Sequence, residues 1–406
     1  MTIERLRPAD AADVADIVRK AAASGEALFV RGGGSKRDYG RPVEAARILD
    51  LGRLTGISDY EPAELFLQAQ AATPLAEITA ILDAHNQMLA FEPPDWSGLL
   101  PSDGAPTLGG TIAANIAGPR RVRAGAARDH FLGFSAVDGR GDIWKAGGRV
   151  VKNVTGYDMC KLQAGAFGTL SVLLETTVRL LPKPETSCSL VFPGLADQEA
   201  IAFLSKALNS PHEVSAAAFL PAPALRRSQV SHALPDASAT ILRLEGPHPS
   251  VAYRAGELES SQAGCVRLEM SDSKVLWREI GAVQPLFGAA DSIVWRVCTT
   301  PNAAPALLQN VQNLLPLAEG FYDWGGGLLW IEIPADAPEG AAANSLRSAL
   351  TTGGGHATLL RAEASLRGRI PVFQPVAAQL EALSRRVKSG FDPHGVLNPG
   401  RMQQGI

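Results

Sequence analysis

The chain has 406 residues, more than one ordinary core accommodates, so two structural units are expected. Apolar residues make up 46% and charged residues 19%, the balance of a folded globular protein rather than a disordered one. A formal net charge of −3 argues against a nucleic-acid partner, which demands a basic face.

The opening MTIERLRPADAAD carries acids and has no apolar centre, so it does not read as a secretory signal. A helix is expected over Asp10 to Ser24: Asp10 can cap it, Val14, Ile17, Val18 and Ala21 share a face, and Gly25 suits its stop. A short strand, Ala27 to Val30, runs straight into Arg31-Gly32-Gly33-Gly34-Ser35-Lys36, with Gly40 close behind. ILDL and LFLQAQA are further strand signals, and Thr73-Pro74 opens a second helix with Pro at its first position and Leu75, Ile78, Ile81 and Leu82 as its buried stripe. From Glu92 to Gly125 the chain is rich in Gly, Pro and Ala, and a structureless stretch of that length inside a domain is usually functional.

FLGFSAV and DIWKA flank Asp138-Gly139-Arg140-Gly141 as a hairpin. A second glycine-rich stretch, GGRVVKNVTGYDMCKLQAGAFGTL, leads into a long strand from Ser171 to Leu181, and Pro182-Lys183-Pro184 marks the boundary of a first domain, residues 1–184. Over 185–361 the strands CSLVF, SAAAFL, TILRLEG, CVRLEM, SIVWRVC, GLLWIEI and HATLLRA are interspersed with helices QEAIAFLSKAL, one near Tyr253, AAPALLQNVQNLL and EGAAANSLRSAL. This spacing suggests antiparallel strands covered by helices, an α+β second domain. Residues 362–406 return to helix, with Leu380, Leu383 and Val387 on one face and Gly390 as its end, and Phe391 to Arg401 (FDPHGVLNPGR) closes the fold as a tight loop. No apolar run reaches the roughly 20 residues a bilayer span needs. Cys160, Cys188, Cys265 and Cys298 form no C-x-x-C pair and read as reduced thiols, so a cytoplasmic location is expected, with membrane contact only through a partner.

Three clusters carry the chemistry. Glycines directly after a strand, as in Arg31 to Gly40, let successive N–H groups face one concavity that binds an anion, and a pyrophosphate is the natural guest. Ser35 and Lys36 add a hydroxyl and a positive charge; a plain surface turn is the alternative. The loop does not open a helix with the G-x-G-x-x-G spacing, so it is a poor dinucleotide fingerprint. Thr107 to Asn115 supplies small residues that admit a ligand close to the backbone, with Thr111 and Asn115 on one face if the segment is helical, although close helix–sheet packing uses the same residues. Gly156-Tyr157-Asp158 and Gly165 to Leu170 form the third cluster, in which Tyr157 could equally be a core tyrosine.

Taken in order, RGGGS…G, TLGGT-x-x-A-N-x-x-G, KNVTGYD-x-x-x-L-x-x-G-x-FGTL and FDPHGVLNPGR resemble the FAD-binding family of vanillyl-alcohol oxidase and para-cresol methylhydroxylase (PCMH), and within it the FAD-binding (E) subunits of bacterial glycolate oxidases. The resemblance spans essentially the whole chain, strongly over 27–182 and 390–402 and weakly between. It implies a two-part PCMH-type FAD-binding domain and an α+β cap over the flavin. Arg31, Gly32, Gly33, Gly34, Ser35, Lys36 and Gly40 match the pyrophosphate loop. Pro101 matches the residue before the second loop, and Gly109, Gly110, Thr111, Ala114, Asn115 and Gly118 match that loop along pyrophosphate and flavin. Gly165, Gly168, Thr169 and Val172 match the segment that meets the ribityl chain or adenine, and Asn398 with Pro399 the C-terminal loop near the isoalloxazine.

No His stands in the first loop and no Cys between residues 92 and 125; His130 and Cys160 read as packing residues, so noncovalent FAD is implied. The paired histidines and Glu-His motif of catalytic relatives, which supply the base a hydride transfer requires, are missing. His356 reads as a hairpin-edge histidine and Arg361 as a solvated arginine, so no catalytic residue is assigned. The resemblance implies two partners, a catalytic flavoprotein subunit and an iron–sulfur subunit, with this chain accessory or electron-relaying. The alternatives are a free-standing FAD-dependent glycolate or D-lactate dehydrogenase and a scaffold whose FAD fold is vestigial.

Overall fold

A computed structural model describes residues 4–100, 102, 104–149, 156–286 and 291–405. Pro101 and residues 152–155 of the KNVTGYD motif lie outside them. The N-terminal portion begins with a parallel three-stranded sheet, Glu4–Leu6, Arg47–Asp50 and Leu28–Arg31 in spatial order. Against it packs the helix Ala11–Ser24, capped by the Asp10 carboxylate on the Asp13 N–H and stopped by left-handed Gly25. The periodicity works because Val14, Val18 and Ala21 reach one core with Leu28, Leu49, Val172 and Leu397.

A five-stranded antiparallel sheet follows, Ile57–Glu61, Phe66–Gln70, Ser171–Arg179, Phe131–Asp138 and Ile143–Gly147. Its core gathers Leu67, Ile78, Leu82, Phe91, Leu108, Ile112 and Phe131. Pro74 is the cap of the helix Leu75–Ala84 rather than its first residue. The stretch from 92 to 125 is not wholly irregular: Leu108–Ala113 and Arg121–Ala124 are short helices.

All strands between Thr186 and Arg361 join one antiparallel eight-stranded sheet. Glu319–Asp323, without a clear alternation, was not legible as a strand, and Met270 opens the helix Met270–Gly281 instead of closing a strand. One sheet face is covered by the helices Asp197–Leu208, His248–Glu259, Ala304–Leu314 and Ala341–Gly353. The other face carries Val294, Phe321, Leu328 and Trp330, and it packs on Tyr39, Trp96, Leu99, Leu100, Ala114 and Phe167 of the N-terminal portion. The mix of helices with mainly antiparallel sheets is the expected α+β class.

Three local expectations are corrected. Arg361 is buried, not solvated: its guanidinium holds Glu332 and the Ser292 hydroxyl and carbonyl. The Glu332 carboxylate, two strands away across Ile293–Thr299, makes burial of the arginine tolerable. Tyr157 is exposed rather than a core residue. The last helix runs Ala378–Phe391, past Gly390, and leaves Leu380 and Leu383 exposed because only its C-terminal turn is anchored, through buried Lys388.

Candidate cofactor-binding site

The first loop leaves the parallel sheet at Arg31 and folds into two successive turns, Arg37 N–H to Gly34 C=O (3.0 Å) and Tyr39 N–H to Lys36 C=O (3.2 Å). The N–H groups of Gly32, Gly33, Gly34, Ser35 and Lys36 have no acceptor among the described residues. Successive free donors of this kind form an anion cradle. Gly33 is obligatory for a second reason: a Cβ there would sit 1.9 Å from the Ala105 carbonyl oxygen, and one on Gly104 would sit 1.8 Å from the Gly33 oxygen. The two loops meet backbone to backbone.

The back of the first loop is held by residues that the motif reading did not select. Buried Arg401 donates through Nη2 to the carbonyls of Lys36 (2.7 Å), Tyr39 (2.9 Å) and Arg37 (3.3 Å). Arg367 donates to the Gly40 carbonyl (2.8 Å) and to Asp38 (2.9 Å). Burial, and then the charge of Arg367, lower the Arg401 guanidinium to about 10. Arg401 stood in the sequence as the last residue of NPGR, but only the fold shows which carbonyls it reaches.

Asn398 is a strut rather than a free ligand group. Its Oδ1 accepts from Val30 N–H (2.8 Å), its Nδ2 donates to the Phe167 carbonyl (2.8 Å), and its own N–H donates to the Leu28 carbonyl (3.0 Å). It thereby joins the first strand, the C-terminal loop and the 165–168 loop. That last loop is stitched to the helix Leu108–Ala113 by Gly165 N–H to Ile112 C=O and Phe167 N–H to Ala113 C=O. Gly168 lies against Asn398, and the Thr169 hydroxyl is spent on the Ala166 carbonyl (2.6 Å). Lys388 donates to the Thr169 carbonyl (2.6 Å), the Leu397 carbonyl (2.9 Å) and Asp392 (2.6 Å), locking the same corner.

The second loop differs from expectation in detail. Gly109 is there for closeness, since a Cβ would meet Ala71 at 2.6 Å, and its N–H is taken by the Ala71 carbonyl. Leu108 N–H goes to Thr73 C=O, and Gly110 N–H to the Thr107 hydroxyl at 3.3 Å, so the helix start is already capped. Thr111 and Asn115 do not present polar groups together. The buried Thr111 hydroxyl returns to Thr107 C=O (2.9 Å), and Asn115, past the helix end with φ 48°, caps Arg128 N–H. Gly118 packs on the Glu92 backbone, and its carbonyl accepts from Trp324 Nε1 (3.1 Å). Val172 points into the core on the face opposite Ser171 and Leu173, so its side chain does not face the loops.

Between these loops runs a groove lined by Val30, Arg31, Gly32, Gly110, Ala113, Phe167 and Asn398. Ala114 and Lys36 flank one end, Gly109, Gln163 and Gly168 the other. Two buried donors on it lack a partner, Arg31 Nε and Gln163 Nε2. Unpaired buried donors are costly. A row of free N–H groups, a glycine floor and two orphaned donors fit an extended ligand with a pyrophosphate and further acceptors along its length, as FAD is.

Lys36 adds a conditional charge. Burial lowers its ammonium to about 8, against the opposing pull of Asp95. A bound pyrophosphate would raise it again, so the complex holds more protons than the free protein above that value. Affinity for ADP, as a pyrophosphate probe, is therefore expected to be level below about pH 7.5 and to fall by up to about tenfold per unit above about pH 8. Equilibrium titration in Lys36→Arg should show no such fall.

The sequence up to residue 147 matches, from residue 5, the family described as an FAD binding domain. The glycolate oxidase subunit GlcE of Escherichia coli is 33% identical over 92% of this chain and 92% of its own length. The chain belongs to the family of glycolate oxidase FAD-binding subunits. The glycolate oxidase subunit GlcD of Bacillus subtilis is 32% identical over 40% of this chain and 34% of its own length. The crystal structure of p-cresol methylhydroxylase superposes with a TM-score of 0.72 over 98% of this chain and 88% of that one, at 13% identity, which shows the PCMH-type fold. The family resemblance read from the glycine loops thus stands.

Proposed function

We propose that this chain is the FAD-binding subunit of a glycolate oxidase complex that oxidises glycolate to glyoxylate, acting in an accessory or electron-relaying role beside a catalytic flavoprotein subunit and an iron–sulfur subunit. The observation that carries it is the end-to-end kinship with GlcE in a chain whose first loop keeps five free N–H groups. In this reading 1–184 is the FAD-binding domain, 185–361 the cap and 362–406 the segment that returns to close the FAD site.

FAD when bound supplies a two-electron acceptor. Arg31 to Lys36 hold its pyrophosphate, and Gly109, Gly110 and Ala114 let it lie close to the backbone. Gly165, Gly168 and Asn398 shape the wall beside it, while Thr111, Asn115, Gly118, Thr169, Val172 and Gly40 act by holding the loops. The sequence lacks the paired-histidine and Glu-His motifs, which favours the accessory role. No described helix is long and apolar enough to cross a membrane. A cytoplasmic complex, touching the inner membrane at most peripherally, is the reading that fits.

The test is a visible spectrum of the purified chain before and after anaerobic glycolate. A flavin band that stays oxidised alone and bleaches once the catalytic flavoprotein subunit is added supports the proposal. Bleaching by glycolate in the chain alone would make it a free-standing dehydrogenase, and a colourless chain that takes up no FAD would refute both. His130 is buried, with Nε2 on the Ala124 carbonyl, and Cys160 is buried with its thiol raised to about 12 by burial, so neither is poised to bond a flavin. Acid precipitation is accordingly expected to leave all the flavin in the supernatant; yellow protein in the pellet would show a covalent link.

A further inference from the structure

On the sheet face that meets the N-terminal portion, Arg296 and Cys298 follow Val294 by strand alternation. The Arg296 guanidinium carbon lies 5.1 Å from the ring centre of Trp324, and that of Arg121, from the opposite side of the seam, lies 4.4 Å from the same centre. The indole is fixed by its bond to the Gly118 carbonyl. Its residue has φ 53°, a left-handed conformation that is costly for a bulky side chain and persists only where the surroundings impose it.

Neither guanidinium has a hydrogen bond or an ion pair among the described residues; both lie against the shared indole. Both are half-buried, and the charge of Arg296 adds to burial in lowering Arg121. The acid that feels Arg296 is buried Asp323, whose Oδ1 accepts from Trp324 N–H (2.7 Å) and which burial raises to about 7, so it supplies only a partial counter-charge. At Arg121 the main opposing charge is Cys298, which acts more weakly than Arg296, and Asp129 acts more weakly still. The excess positive field is felt by Cys298: burial would raise its thiol, but Arg296, a hydrogen bond with His356, and Arg121 bring it down to about 7. His356 lies directly across the strand pair from Cys298, so the seam gathers a thiol, an imidazole and two guanidinium groups with no ion pair among the described residues.

The seam also adjoins the cofactor groove. Buried Tyr39 senses Arg296, and its ring meets Phe167 edge-on at 4.9 Å; Phe167 lines the groove. Among the described residues these two half-buried cations have no ion pair and only the partly ionised Cys298 and Asp323 nearby to offset them, so the seam near the groove favours an anion. Guanidinium groups clamp a carboxylate through paired N–H bonds, which fits a small acid at this seam.

We propose that Arg121 and Arg296, held around Trp324 at the seam of the two portions, bind the carboxylate of a small 2-hydroxy acid. The anion site rests on the two arginines alone, whereas the hydroxy acid as its guest rests on the glycolate oxidase reading above.

The experiment is calorimetric titration of the full, FAD-replete chain with glycolate, with neutral glycolamide as control, alongside flavin absorbance and thermal unfolding. Saturable glycolate binding is expected, at least about tenfold tighter than glycolamide and weakened at least about tenfold in both Arg121→Gln and Arg296→Gln. Because the two cations repel, neither variant should lower the unfolding temperature, whereas arginines kept only for stacking on Trp324 would lower it on removal. If one variant misfolds, the other carries the comparison. Absence of saturable glycolate binding, equal binding of glycolamide, or variants that bind as the parent does would overturn the proposal. A chain that binds glycolate through these arginines but never takes up FAD would overturn the flavin reading and leave this one standing.

Discussion

Replacing Arg401 with alanine is expected to weaken FAD binding about 100-fold. The guanidinium makes two short bonds, to the Lys36 carbonyl at 2.7 Å and the Tyr39 carbonyl at 2.9 Å, and also covers the Phe29 ring at 5.3 Å. Charge-assisted bonds of this kind are worth about 1.5–3 kcal/mol each, and losing two with partial relaxation costs about 3 kcal/mol. That cost falls on the shape of the loop. Arg401 pins the back of the 36–39 turn, and the free N–H groups of Gly32 to Lys36 lie on the run leading into it. Without the pin, the loop must be reordered when the pyrophosphate arrives, and about 3 kcal/mol of lost preorganisation is about a 100-fold rise in Kd. Fluorescence titration of the flavin-free chain with FAD measures it. Arg401→Lys should fall between parent and alanine variant, because the ammonium keeps the charge but lacks the planar guanidinium that covers the Phe29 ring and fixes the direction of the bonds. An alanine variant that binds FAD within about threefold of the parent would sink this account.

The second large effect is expected at the other seam between the portions. Arg243, on the strand Ala239–Gly246, donates from both Nη atoms to both oxygens of Glu92 at 2.8 Å. Arg120 donates through Nε and Nη2 to the two oxygens of Glu245 at 2.9 and 2.6 Å, and Arg243 also stacks on Trp277 at 4.9 Å. Burial alone would raise both carboxyls, yet the two arginines hold Glu92 below the ordinary range and Glu245 at about 2. Arg243→Ala strands Glu92 without its main counter-charge and is expected to cost about 3–5 kcal/mol, read as a lower midpoint in chemical unfolding. The double replacement Arg243→Met with Glu92→Leu should recover most of that loss, because it removes the buried charge along with its partner. The acid dependence has a defined sign. A carboxyl whose folded value lies below its unfolded one stabilises fully above about pH 4.5, and this contribution fades as pH falls towards about 2. The parent should therefore lose more stability over that window than the double variant does. An Arg243→Ala chain within about 1 kcal/mol of the parent would show that the four charges merely fill space.

Much of this molecule is legible in its sequence. Local periodicity marked Ala11–Ser24, the 131–147 hairpin and most strands between residues 186 and 361, since alternation and i, i+4 spacing are properties of contiguous residues. The three glycine clusters and their order disclosed the FAD-binding family, because backbone-to-backbone approach tolerates no Cβ and so writes itself into the sequence as glycine. Tertiary structure decided what each polar group does. Asn398 and Thr111 read as ligand contacts but spend their side chains on backbone partners, the former some 368 residues away at Val30. Arg361 read as solvated but is buried beside Glu332. Arg401, Lys388 and the Arg121–Trp324–Arg296 cluster were invisible, because a long side chain's role depends on which distant carbonyls or rings the fold brings within about 3–6 Å, and no local pattern encodes that. Backbone chemistry was thus determined by sequence alone, whereas the pairing of charges was settled only when the chain closed on itself.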